Sequence, residues 1–145
     1  MSRYDKYSPI SGGFRAKLNA AWTATSGPSS VTDLNRILVV GLNSSGLIVK
    51  AANVAAASGI MIVHAAPAAA GDVMDVMTHG EVVEISGADM QSGTAPTAGQ
   101  KIWFEATASR LTATAPAAGV AGFYVGQIVE VGRLVVRCQN LAVPV

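Results

Sequence analysis

Apolar and polar residues alternate along much of the chain with a period of two, the period of a strand whose two faces meet different surroundings. Phe14, Ala16, Leu18, Ala20, Trp22 and Ala24 share one face, opposite Arg15, Lys17, Asn19, Ala21, Thr23 and Thr25. This predicts a long strand over 14–25 with one buried face. Leu18, Ala21 and Trp22 also fit a helical period, but the threonines and the missing cap favour the strand. Further on, the apolar runs 37–40 and 47–49 flank Asn43-Ser44-Ser45-Gly46, a hairpin signal because Gly46 can supply a positive φ. Residues 60–63 read as a buried strand that ends before Pro67. The segment 73–85 alternates well and is interrupted at Gly80, where a bulge or a tight turn is expected. Strands follow at 101–106 and 111–113. A closing hairpin runs through 123–131, Gly132-Arg133 and 134–138.

About ten strand candidates at roughly ten-residue spacing predict an all-β, small barrel or sandwich-like protomer. At most one short helix is expected, over 51–58 and stopped by Gly59. No internal repeat of fixed period is visible. Composition divides the chain into an N-terminal arm, 1–35, containing the strand 14–25, and a barrel-like domain, 36–145. Tyr4, Tyr7, Ile10 and Phe14 lie in a segment with little else to bury them.

Composition adds a reason to expect association. Of 145 residues, 50% are hydrophobic and only 13% charged, against roughly 25% charged in ordinary soluble domains. On a folded monomer of this size that leaves about one charge per 370 Å². Such a surface carries apolar patches, which usually mark contacts with other subunits. The alanine loops 65–70 and 113–121 fit this picture, since solvent-exposed loops normally use polar residues. Trp103, Pro67 and Pro116 are therefore candidate subunit contacts. Trp22 and Trp103 suit interface anchoring and core filling equally.

Several classes drop out. A net charge of +1 without basic clusters argues against a nucleic-acid partner. High hydrophobicity argues against global disorder. The lone cysteine, Cys138, cannot form an internal disulfide, and the first residues lack the apolar stretch of a signal peptide. The uncharged runs 51–71 and 111–129 are too rich in alanine, glycine and proline for membrane spans.

No nucleophile elbow, phosphate loop or dinucleotide fingerprint occurs, and neither an enzyme nor a cofactor is expected. The polar group Asp72, Asp75, His79 and Glu81 carries residue types that bind metals or transfer protons. On a strand, however, Asp75 and His79 stand about 13 Å apart, too far for one mononuclear site, and suit the wet face of an amphipathic strand. Cys138 beside Arg137 lacks a base nearby in sequence and reads as a structural thiol. His64 reads as the end of a strand. A small β-barrel binding a metal or ligand through Asp75, His79 and Glu81 remains an alternative.

The stretch Ala70-Gly71-Asp72-Val73-Met74-Asp75-Val76-Met77-Thr78-His79-Gly80-Glu81-Val82-Val83-Glu84 resembles the capsid decoration, or cement, proteins of tailed bacteriophages. Thr97-Ala98-Gly99-Gln100-Lys101-Ile102-Trp103 matches the next strand of their pattern. Gly122-Phe123-Tyr124-Val125-Gly126-Gln127-Ile128 and Arg133-Leu134-Val135-Val136 match its closing pair. The resemblance covers about 36–138. It implies a β-barrel-like protomer, made in the host cytoplasm, that forms homotrimers on the outer surface of the capsid. These would sit at three-fold and quasi-three-fold positions, bridge neighbouring capsomers and stabilise the shell. A terminal arm would pair with the major capsid protein, making Tyr4, Tyr7, Ile10, Phe14, Leu18 and Trp22 candidate capsid contacts. Neither nucleic acid nor membrane is an expected partner. Another β-rich virion component, such as a tail-tube, head–tail joining or head-fibre base protein, is the main alternative.

Overall fold

Local chemistry sets the strand boundaries. The computed structural model of the chain describes residues 12–21, 37–62, 69–106 and 110–142. Gly46 turns at φ +74. The Asn43 side-chain oxygen accepts from the amides of Ser45 (2.9 Å) and Leu47 (3.0 Å). These bonds close the hairpin of β2 (Ile37–Leu42) and β3 (Ile48–Lys50). At the other end of the chain, Gly132 turns at φ +79 between β8 (Ala121–Glu130) and β9 (Arg133–Ala142). Both expected hairpins are therefore present.

The remaining strands are β1 (Gly12–Lys17), β4 (Gly59–Ile62), β5 (Val73–Glu84), β6 (Lys101–Glu105) and β7 (Arg110–Thr112). The segments on either side of Gly80 are one strand. His79 faces Arg137 and Val82 faces Val135, so β5 carries one extra residue at this point. Gly80 takes it up at φ +85, and the strand bulges without ending. This leaves nine strands among the described residues, where the sequence pattern predicts about ten.

Two expected elements differ in extent. The stretch 51–58 is not an α-helix. Asn53 caps a single 3-10 turn, Val54–Ala56, and the Ser58 amide then donates to Val40 O at 2.8 Å. The chain rejoins the sheet before a helix can propagate. The strand expected over 14–25 is shorter at its C-terminal side, because β1 ends at Lys17. There the Leu18 amide donates to Asp72 O and the Asn19 amide to Ile48 O. Residues 22–25 lie outside the described residues.

The strands form one curled antiparallel sheet in the order β3-β2-β4-β5-β9-β8-β6-β7, with β1 paired to β5 off this path. Met77 faces Ile60 of β4 on one edge and Gly13 of β1 on the other. A parallel bridge between Leu18 and Ile48 then brings the end of β1 to β3. Strands β1, β5, β4, β2 and β3 thus run round a small core of Leu18, Leu38, Val40, Ile48, Met61 and Val76. The opposite faces of β2 and β4 supply Ile37, Val39 and Ile60 to a larger core. That core also holds Ile102, Phe104, Leu111, Phe123, Ile128 and Leu134. Strand β2 is accordingly buried on both faces, which is why its sequence is a continuous apolar run. Buried Asp89 ties the larger core together. Its carboxylate accepts from the amides of Ile37 (3.0 Å) and Ser86 (2.8 Å), satisfying donors that would otherwise be stranded.

Candidate contact surfaces

Strand β1 is positioned by its glycines. A Cβ at Gly12 would overlap the carbonyl of His79, and one at Gly13 the carbonyl of Val76. Only glycine lets the two backbones approach so closely. Beyond them, Phe14 and Ala16 lie half-buried against the smaller core, and Leu18 is 1% exposed within it. The two arm residues described, Phe14 and Leu18, therefore face their own chain. Tyr4, Tyr7, Ile10 and Trp22 lie outside the described residues. On the solvent side of β1, Arg15 forms an ion pair with Asp75.

Trp103 and Pro116 come together. Ile102 and Phe104 point into the larger core, which leaves Trp103 on the other face of β6. There it packs edge-on against Tyr124, with ring centroids 5.2 Å apart. The loop 113–120 folds back over it, and a Cβ at Gly122 would touch both Pro116 and the indole. Trp103 is thereby buried, by a loop of its own chain and not by the central core. A groove of about 370 Å³ remains beside it, lined by Val54, Gln91, Thr112, Thr114 and Val120 among others. Val120 stands exposed at its rim. Burial raises the Tyr124 phenol above its usual range, an effect that nearby Arg137 partly offsets. Pro67 and His64 lie outside the described residues.

A third surface was not flagged by sequence. Val82, Val129 and Val131 are all more than half exposed near the β8–β9 turn, Val131 at 78%. The ion pair Arg133–Glu130, 2.8 Å, lies beside them, and Glu84 faces Arg133 across the strands. The available signal was Val131 itself, an apolar residue at a hairpin tip where polar residues are the rule.

The polar residues Asp72, Asp75, His79 and Glu81 are placed separately along β5 and its approach. Asp75 is engaged by Arg15, and Asp72 accepts from the Ala69 amide at 2.8 Å. His79 Nδ1 lies 3.1 Å from Thr78 Oγ1. Among the described residues no three His, Cys, Asp or Glu side chains are placed to share a metal ion. Burial pushes the Cys138 thiol up to about 12, the opposite of what a nucleophile requires.

Comparison with known proteins agrees with this architecture. Residues 33–138 match the family described as phage cement protein. The matched span reaches from just before β2 into β9 and excludes β1. A solved structure from Mycobacterium phage Patience superimposes with a TM-score of 0.63 at 20% identity, over 95% of this chain and 96% of that one. At that identity the likeness concerns the fold. No curated protein sequence matches the chain.

Proposed function

Because the chain belongs to the phage cement protein family, we propose that it stabilises a capsid as a homotrimer bridging neighbouring capsomers at three-fold and quasi-three-fold positions. As a cement protein it is a structural component of the virion, on the outer surface of the capsid. The match over residues 33–138 carries this reading.

The surface chemistry supports it. The exposed valines by the β8–β9 turn and the small apolar loop beside Trp103 offer contact area with little charge to desolvate. A trimer would place several such feet on the shell at once. Effective concentration would then make individually modest contacts strong. Holding capsomers together in this way raises the free energy required to separate them. The major capsid protein is the partner in this reading.

Co-sedimentation of the purified chain with phage heads tests it, together with native mass spectrometry of the free chain. Saturable binding to heads and a trimer mass are expected. A chain that stays monomeric and remains in the supernatant at saturating heads would overturn the proposal.

A further inference from the structure

We propose that strand β1 is exchanged between copies, so that the slot on one chain holds Gly12–Leu18 of a second copy. The slot is the 73–79 edge of β5 together with the faces of β2 and β4 that carry Leu38, Val40 and Met61. The proposal draws on the capsid reading only for what crowds the copies together.

The slot selects its occupant. Backbone carbonyls at His79 and Val76 sit where side chains at the first two positions of an incoming strand would be. The next positions must then present Phe14, Ala16 and Leu18 to the small core. A strand of another protein fits only if it also carries adjacent glycines followed by this alternation. A second copy of this chain meets the requirement by identity.

The connection has the reach to do it. Leu18 bridges Ile48, Ile48 faces Leu42, and β2 runs back from Leu42 to Ile37. Leu18 and Ile37 are thus separated by on the order of 20 Å. The stretch of chain joining them, 19–36, can span about 60 Å. Its length does not oblige β1 to use the slot of its own chain.

Exchange remakes the same contacts. The β1–β5 register, the Arg15–Asp75 ion pair and the Leu18 packing are identical in either arrangement. The larger core contains no residue of β1, so it is untouched by the transfer. Concentration decides between the two forms. A tether of this kind corresponds to roughly millimolar effective concentration, which dilute chains do not approach and copies packed on a shell do.

Disulfide trapping tests the exchange directly. Two full-length chains carry Cys138→Ala. One adds Arg15→Cys and a mass tag, the other Asp75→Cys; these positions face each other in the register, and both side chains are exposed. The chains are co-expressed, concentrated and oxidised. A tagged–untagged heterodimer that rises with concentration is expected. It should exceed by several-fold the adduct formed with a Glu84→Cys partner, which lies outside the slot. A yield no higher than with Glu84→Cys would overturn the proposal, provided that a chain carrying both Arg15→Cys and Asp75→Cys closes its internal disulfide. Head binding by the unaltered chain is scored separately, so failure of exchange and failure of the capsid reading give different results.

Discussion

The larger and smaller cores are built on opposite faces of the same strands but differ in how they are closed. The larger core gathers apolar residues from β2 and β4 through β9, two phenylalanines among them. The smaller one has only aliphatic residues and methionine fully buried, and it depends on Leu18, brought in by β1 from far along the chain. One is closed by many long-range strand pairs, the other by a single strap. This also revises the meaning of the low charge content. Part of the apolar excess covers a sheet on both faces, and only the remainder, in the exposed valines and the alanine-rich loop 113–120, stands open at the surface.

The sharpest way to separate the cores is to damage each in turn. Phe123 is 2% exposed in the larger core, and Phe123→Ala should cost about 3–5 kcal/mol. That is a large share of the roughly 5–15 kcal/mol of a whole domain, and denaturant melts should show loss of the entire fold. Leu18→Ala should cost about 2–4 kcal/mol by the same cavity argument, but locally. Hydrogen exchange should accelerate at β1 and the facing part of β5 while β8 and β9 stay protected. Equal loss of protection in both regions would mean that the two cores form one cooperative unit.

Gly80 tests the strand the cores share. Nothing lies within 4 Å of a Cβ built there, yet φ is +85. Gly80→Val therefore meets strain without a clash and should cost about 1–2 kcal/mol, lowering the melting temperature. An unchanged melt would mean that the bulge relaxes to another conformation.

These residues also mark how far the sequence could be read. The two hairpins were legible because Asn43, Gly46 and Gly132 act within a few residues of themselves. The interruption at Gly80 was legible too, although alternation alone could not tell a bulge from a turn. The double burial of β2 was not, because a continuous apolar run looks the same whichever elements cover it. Trp103 was ambiguous for a related reason: its cover is the loop 113–120, and no local pattern announces that this loop folds back. The docking place of β1 escaped notice because the close approach that Gly12 and Gly13 permit shows only once the carbonyls of β5 lie against them. The separation of Asp75 from His79 was foreseen from strand geometry, whereas the capture of Asp75 by Arg15 depends on a pairing across 60 residues.

Cys138 offers the finest probe, because it sits at the seam. Its thiol lies 3.9 Å from Met77 O of β5 and 3.8 Å from Val125 O of β8, and burial pushes it up from 9.0 to about 12. The folded chain keeps this proton where the unfolded chain releases it, so the unfolded state binds fewer protons and stability falls as pH rises. The contribution is complete below about pH 9 and is lost progressively toward pH 12. Within that window the slope is about 1.4 kcal/mol per pH unit. Other groups titrate in the same range, so the useful quantity is a difference: between pH 9 and 10 the native chain should lose about 1 kcal/mol more than Cys138→Ala. Equal losses would mean that water reaches the thiol and that the seam β9 makes with β5 and β8 opens in the native state. A seam that opened so readily would let the strap move without Leu18 being touched, and the contrast between the two cores would then lie in β5.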